Sequence, residues 1–347
     1  MVRERLSLTD VLRALSEYHG VIYDKDDAQR FLSSKNMAKD NSLRLISWLL
    51  IFDKISTEEN RAKELYTIFK KYTDDLSKTF QKNLTNPLES IKDAKISRVI
   101  KVDIDRSIGM FKRLTDQLNL NSDDIKNAHL HAIRILTLYM LSYDDMSYVQ
   151  GYDRYVLVVY ALTLVFTSTH SLPSEFAEAI TYQLAQDFIR LSNLTGLLKD
   201  VPDSQIYFQK MDRCIKVVHP TLTKVLESSE LGSIHYALRW ELLMFADEYS
   251  ASKLFLLWDE IILNKSNYNE FIFYLCISHA MQIPVGSPGE VLMEKIQTYK
   301  NWDVIKAIDT AHSLIQKQHK NRFSKAKAYV CLGAACGIAF CSYFLAH

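Results

Sequence analysis

Three groups of residues in this sequence have types and spacings that can do chemistry. The first is Ile100, Asp103 and Arg106, three apart in "IKVDIDR". An Arg guanidinium stays charged and forks onto carboxylate or phosphate oxygens. The same spacing also suits an ordinary Asp–Arg pair on one amphipathic turn. The second is Tyr148, Gln150 and Gly151 in "YVQG". A Gln amide both donates and accepts, so it can orient a water or a second donor. The plainer reading is a polar helix start. The third is Arg239-Trp240 followed by Trp258-Asp259, both in apolar segments where Trp serves mainly to pack.

Other chemistries lack their residues. There is no GxxxxGK[ST] or GxGxxG loop and no HExxH or GxSxG motif. No nucleophile sits beside a base. His129 and His131 are two apart and point to different helix faces, which argues against a metal pair. Asp123-Asp124 and Asp144-Asp145 read as caps on helix ends. The five cysteines include no CxxC pair, so no zinc site is expected. With 42 basic and 41 acidic residues, no field for nucleic acid is expected.

These residues need a scaffold, and the composition points to an all-α one. The 347 residues are 48% hydrophobic, with only nine glycines and six prolines. That favours packed helices over a fold with many tight turns. Periodicity predicts helices opening at Ser7, around 24–36, over 42–52 and over about 57–84. Arg98 to Phe111 alternates and reads as a strand or loop. Helices are expected again at 122–141, 173–191, 205–228, 232–247, 251–263, 268–282, 288–299 and 302–319. The uncharged run Tyr155–Phe166 is too short to span a bilayer and reads as a buried core helix.

The last segment is different. Residues 328–346, "AYVCLGAACGIAFCSYFLA", are 19 without a charge. As a helix they would be roughly 28 Å long, close to a bilayer's hydrocarbon thickness. Lys317, Lys320, Arg322, Lys325 and Lys327 precede them and only His347 follows. The expectation is a helical domain over 1–320, a basic neck at 321–327 and a transmembrane tail anchor at 328–346, with the domain in the cytosol. Gly333 and Gly337 form GxxxG, a spacing that lets membrane helices approach and that suggests a weak homodimer.

The order and separation of the three groups resemble the TBC domain of Rab GTPase-activating proteins. That family carries IxxDxxR, then YxQG, then an Arg-Trp helix and a Trp-Asp helix. "RLISWLL" is similar to its early signature through Arg44, Trp48, Leu49 and Leu50. The resemblance covers about residues 40–320. It implies a two-lobed helical domain that completes the active site of a Rab GTPase rather than an enzyme in its own right. Arg106 would then be an arginine finger and Gln150 a glutamine finger. Asp103 would orient the Arg106 loop, Tyr148 would pack behind the finger, and Gly151 would let the backbone approach the GTPase. Arg44, Trp48, Arg239, Trp240, Trp258 and Asp259 would be scaffold. GTP and Mg²⁺ would be carried by the Rab; the domain would need no cofactor or metal of its own.

Tyr152 after the Gly, together with the tail, is similar to the endoplasmic-reticulum-anchored branch. That implies traffic between endoplasmic reticulum and Golgi, with the Golgi or mitochondrial outer membrane as other locations. One departure stands out. Members often carry Asp three residues after the motif Gly; here that place is Arg154, and Asp153 precedes it. A surface Arg154 would alter the docking face, which leaves a catalytically inactive TBC adaptor as the alternative.

Overall fold

Side-chain caps set most of the early helix starts. Ser7 accepts from the Asp10 amide at 3.2 Å, and the Asp10 carboxylate returns the bond to the Ser7 amide at 2.9 Å. Asp24, Asp40 and Asp93 each accept from free amides of the helix that follows. Each satisfies donors that have no partner inside the first turn. These details come from a computed structural model that describes residues 6–143, 148–192, 201–284, 294, 296 and 298–320.

The described residues form helices and no strand. In order they are α1 (Leu8–Ser16), α2 (Lys25–Ser33), α3 (Asn41–Ile51), α4 (Arg61–Phe80) and α5 (Ala94–Gln117). Then come α6 (Ser122–Ile125), α7 (Ala128–Ser142), α8 (Tyr152–Thr169) and α9 (Ser174–Ser192). The later ones are α10 (Val201–Val218), α11 (Pro220–Ser228), α12 (Ile234–Leu242), α13 (Ala251–Leu263) and α14 (Tyr268–Ala280). A last helix, α15, covers 304–320. Helix α8 is buried on nearly every face and packs against α9, α5, α3 and α7. Its apolar run is therefore core. Helix α13 packs on α2 and α3, and α10 packs on α11 and α14.

The strand or loop expected at 98–111 is instead the middle of α5, a helix of 24 residues. The apparent alternation of Ile100, Val102 and Ile104 misleads because Val102 is 51% exposed. The buried stripe runs Ile100, Asp103, Ile104, Ser107, Phe111 and Leu114, which is a helical period. Two predicted helices are broken. The 122–141 segment divides at Lys126-Asn127. The 205–228 segment divides at His219-Pro220, where Pro lacks an N–H and His219 Nδ1 accepts from the Leu222 amide at 3.0 Å. The 232–247 helix stops at Leu242 in a turn where Met244 and Phe245 take left-handed backbone.

Among the described residues no helix is long and apolar enough to cross a membrane. The neck at 321–327, the tail at 328–346 with Gly333 and Gly337, Asp144-Asp145 and most of the helix expected at 288–299 lie outside the described residues.

Candidate functional site

Helix α5 and the segment 148–154 build the site together. Arg106 lies on the outer edge of α5's buried stripe, with its side chain 43% exposed. One turn back, Asp103 is buried and accepts from Arg106 Nη2 at 2.8 Å. Gln150 is exposed at the mouth of α8. With its amide oriented as the neighbouring donors require, its oxygen accepts from Arg106 Nη1 at 2.9 Å and Nη2 at 2.5 Å. The guanidinium and the amide thus stand side by side at the surface.

Behind them the polar groups are buried and paired. Tyr148 donates its hydroxyl to Asp103 at 2.9 Å and lies near Asp153 at 3.5 Å. Burial raises the Asp103 carboxyl, opposed by the Tyr148 hydrogen bond and the Arg106 charge. Burial, with the two neighbouring carboxylates, raises the Tyr148 hydroxyl, so it stays a donor. Asp153 is fully buried. It accepts from the Gly151 amide at 3.1 Å, from Arg154 Nη1 at 2.7 Å and from the Ser107 hydroxyl. Arg154 continues to Asp247 at 3.2 Å, and Arg239 pairs with Asp247 at 3.6 Å and Glu248 at 3.3 Å. A chain of hydrogen bonds and ion pairs therefore runs from Arg106 through Asp103, Tyr148, Asp153 and Arg154 to the turn after α12.

Gly151 caps α8 with φ +115°. A Cβ there would sit 2.4 Å from the Leu242 carbonyl oxygen, which also accepts from Tyr155 Oη at 3.0 Å. The glycine is required by left-handed backbone and by contact with the end of α12. The close approach it makes in this structure is internal, to the end of α12.

A second buried cluster ties α3 to α13. Asp259 accepts from Arg44 Nε at 3.2 Å, Trp48 Nε1 at 2.8 Å and Lys39 Nζ at 3.0 Å. Burial raises its carboxyl against the pull of Arg44 and Lys39. Trp48 stacks on Trp258 at 6.1 Å, and Trp258 Nε1 donates to the Met244 carbonyl at 3.0 Å. That last bond reaches the same turn that carries Asp247.

The sequence model described as "Rab-GTPase-TBC domain" matches residues 41–283, about 70% of the chain. The chain belongs to the TBC domain family. No curated protein matches it. This TBC domain shares its fold with the crystal structure of the Ypt/Rab-GAP domain of Gyp1p, at 16% identity and a TM-score of 0.65. The match covers 89% of this chain and 99% of that one. A Chlamydomonas flagellar RabGAP TBC domain also matches at 16% identity, over 84% of this chain and 96% of that one, with a TM-score of 0.39.

In this TBC domain Arg106, Asp103, Tyr148, Gln150 and Gly151 meet in one place. Arg44, Trp48, Trp258 and Asp259 meet in another. Arg239 belongs to the chain behind the first group, while Trp240 is buried beside His279, Phe245 and Trp302. Two expectations need correction. Arg106 projects from a helix and not a loop, because α5 is continuous through it. Arg154 is only 9% exposed, held inward by Asp153 and Asp247, so it does not form a docking face. Ser107, Asp247 and Glu248 were not singled out from the sequence. Ser107 follows Arg106 directly and lies four after Asp103, which places it on the buried stripe. Nothing local marks Asp247 and Glu248.

Proposed function

We propose that this chain is a GTPase-activating protein for a Rab-family small GTPase, with Arg106 as arginine finger and Gln150 as glutamine finger. The observation that carries the reading is the pair itself: two exposed side chains in mutual contact over a buried, paired floor. Intrinsic GTP hydrolysis is slow because charge grows on the transferring phosphoryl group and the attacking water is poorly held. The guanidinium meets the first need, since it is always charged and forks onto oxygens. The Gln amide meets the second, accepting from the water while donating nearby. GTP and Mg²⁺ are brought by the Rab.

The tail at 328–346 and its basic flank support a single-span anchor with the TBC domain in the cytosol. The endoplasmic reticulum, and control of traffic from it to the Golgi, is the setting proposed. A fluorescent fusion of residues 317–347 should mark reticulum; a mitochondrial pattern would move the site of action. The adaptor alternative drew on an outward Arg154, and Arg154 faces inward. Single-turnover GTP hydrolysis across a panel of purified Rabs separates the two readings. Strong stimulation of one or a few Rabs is expected, and a flat panel would refute the activator reading.

A further inference from the structure

Both finger-bearing segments are tied to one carboxylate. Asp153 is fully buried, and its Oδ2 accepts from the hydroxyl of Ser107, the residue after Arg106. Its Oδ1 accepts from the amide of Gly151, the residue after Gln150, at 3.1 Å. The same hydroxyl lies 2.6 Å from the Asp103 carbonyl of its own helix, so its single proton is shared between the two acceptors. We infer that Asp153 is a positioning residue that holds Arg106 and Gln150 in register, and that Arg154, pinned by Asp247, is what keeps Asp153 in place. This deepens the reading of the fingers given above and rests on it.

The chemistry of the partners supports this. A buried carboxylate needs its lone pairs filled, and Asp153 accepts from a hydroxyl, a backbone amide and a guanidinium. Arg154 Nη1 donates to Asp153 at 2.7 Å while its Nε donates to Asp247 at 3.2 Å. Asp247 comes from the turn after α12, which also presents the Leu242 carbonyl against Gly151. The finger loop is therefore clamped from behind twice, by charge at Asp247 and by shape at Leu242. The inverted order of Asp153 and Arg154 is then not a damaged motif. It is a pair whose acidic member faces the fingers and whose basic member faces the scaffold.

The test uses the full chain with Ser107→Ala, Asp153→Asn and Arg106→Ala, alone and combined. Ser107→Ala cuts the link to α5 and leaves the Asp153–Arg154 pair intact, so it guards against a folding defect. Displacing a reacting group by about 1 Å can cost roughly 10²-fold. Asp153→Asn is expected to lower kcat for stimulated hydrolysis about 10- to 100-fold, and Ser107→Ala about 10-fold. KM for the GTP-bound Rab should stay within about twofold of wild type in both. In the Arg106→Ala background Ser107→Ala should cost nothing further, because positioning an absent finger does nothing, and Asp153→Asn should cost only the smaller part that acts through Gln150. A second readout needs no GTPase: the Arg106 ¹⁵Nε–¹Hε resonance, assigned by its loss in Arg106→Ala, should shift in Ser107→Ala. Unchanged kcat in folded variants, or equal losses with and without Arg106, would overturn the proposal. If the wild type stimulates no Rab, the finger reading fails, and the resonance alone decides whether Asp153 positions Arg106: a shift supports it and no shift overturns it.

Discussion

The Arg106 guanidinium and the Gln150 amide oxygen already touch in the unbound molecule, at 2.9 Å and 2.5 Å from the two terminal nitrogens. They come from residues 44 apart on different elements. Each is exposed, and Arg106 is not held by Gln150 alone, since Asp103 also accepts from it. On the proposed reading, engagement with a GTPase exchanges Gln150's oxygen for phosphate oxygens at the guanidinium. The neutral amide makes that exchange cheap.

Gln150→Glu tests this. A carboxylate at the same place forms an ion pair with Arg106 and neutralises the charge the phosphoryl group needs. Stimulation should fall by about 10³-fold or more, as for removal of an arginine finger. Gln150→Ala should cost less, about 10²-fold, because Arg106 stays available. Stimulated hydrolysis measured for both variants checks the order. Greater activity in Gln150→Glu than in Gln150→Ala would mean the contact does not matter.

Gly151→Ala should act on stability before activity. The added Cβ meets the Leu242 carbonyl at 2.4 Å with φ at +115°. Left-handed strain costs about 1–3 kcal/mol, and overpacking against backbone adds about 1–3 kcal/mol. Chemical denaturation should show a loss of about 2–6 kcal/mol; an unchanged midpoint would contradict the contact.

Asp259 and Arg239 should differ sharply although both look like scaffold in the sequence. Asp259→Ala leaves Arg44 and Lys39 buried without their carboxylate. Breaking a buried pair in this way costs about 3–5 kcal/mol. Arg239 is 43% exposed, so solvent screens its pairs with Asp247 and Glu248, and Arg239→Ala should cost no more than about 1 kcal/mol. Comparable losses in urea unfolding would refute the distinction.

Glu241 gives a pH signature. It is buried on α12 against the Tyr207 hydroxyl at 2.8 Å and the Cys276 thiol, neither of which is a cation. Burial pushes its carboxyl up from 4.5 to about 7. The folded state therefore holds the proton more tightly than the unfolded state. The stabilisation is full below pH 4.5 and is lost as pH rises through about 7, for a total of about 3 kcal/mol. Subtracting the unfolding free energy of Glu241→Gln from that of wild type across pH 4–8 isolates this group. The difference should fall with rising pH; a flat difference would mean Glu241 titrates normally.

Some of this was legible in the residues. Ser7 read as a cap because capping chemistry is local, and Tyr155–Phe166 read as core because its length and lack of charge leave little else. Helix α5 was obscured by Val102, an exposed apolar residue that with Ile100 and Ile104 imitates a strand's alternation. Arg106 and Gln150 were linked by motif order alone, since they are distant in sequence. What held them was not visible. Asp153 and Arg154 read as a departure because Asp153's partner Ser107 lies on α5, and Arg154's partner Asp247 is set by a turn with left-handed Met244 and Phe245. A pairing across 93 residues has no local signal.

The most direct measurement is single-turnover GTP hydrolysis by the responsive Rab with wild type and Arg106→Lys. Lys keeps the charge but loses the planar fork. Turnover at saturating activator should drop by about 10³- to 10⁵-fold, roughly 4–7 kcal/mol of barrier. Binding of the GTP-bound Rab should persist, because Arg106 is half exposed and the fold does not depend on it. Near-normal turnover with Arg106→Lys would contradict the central claim.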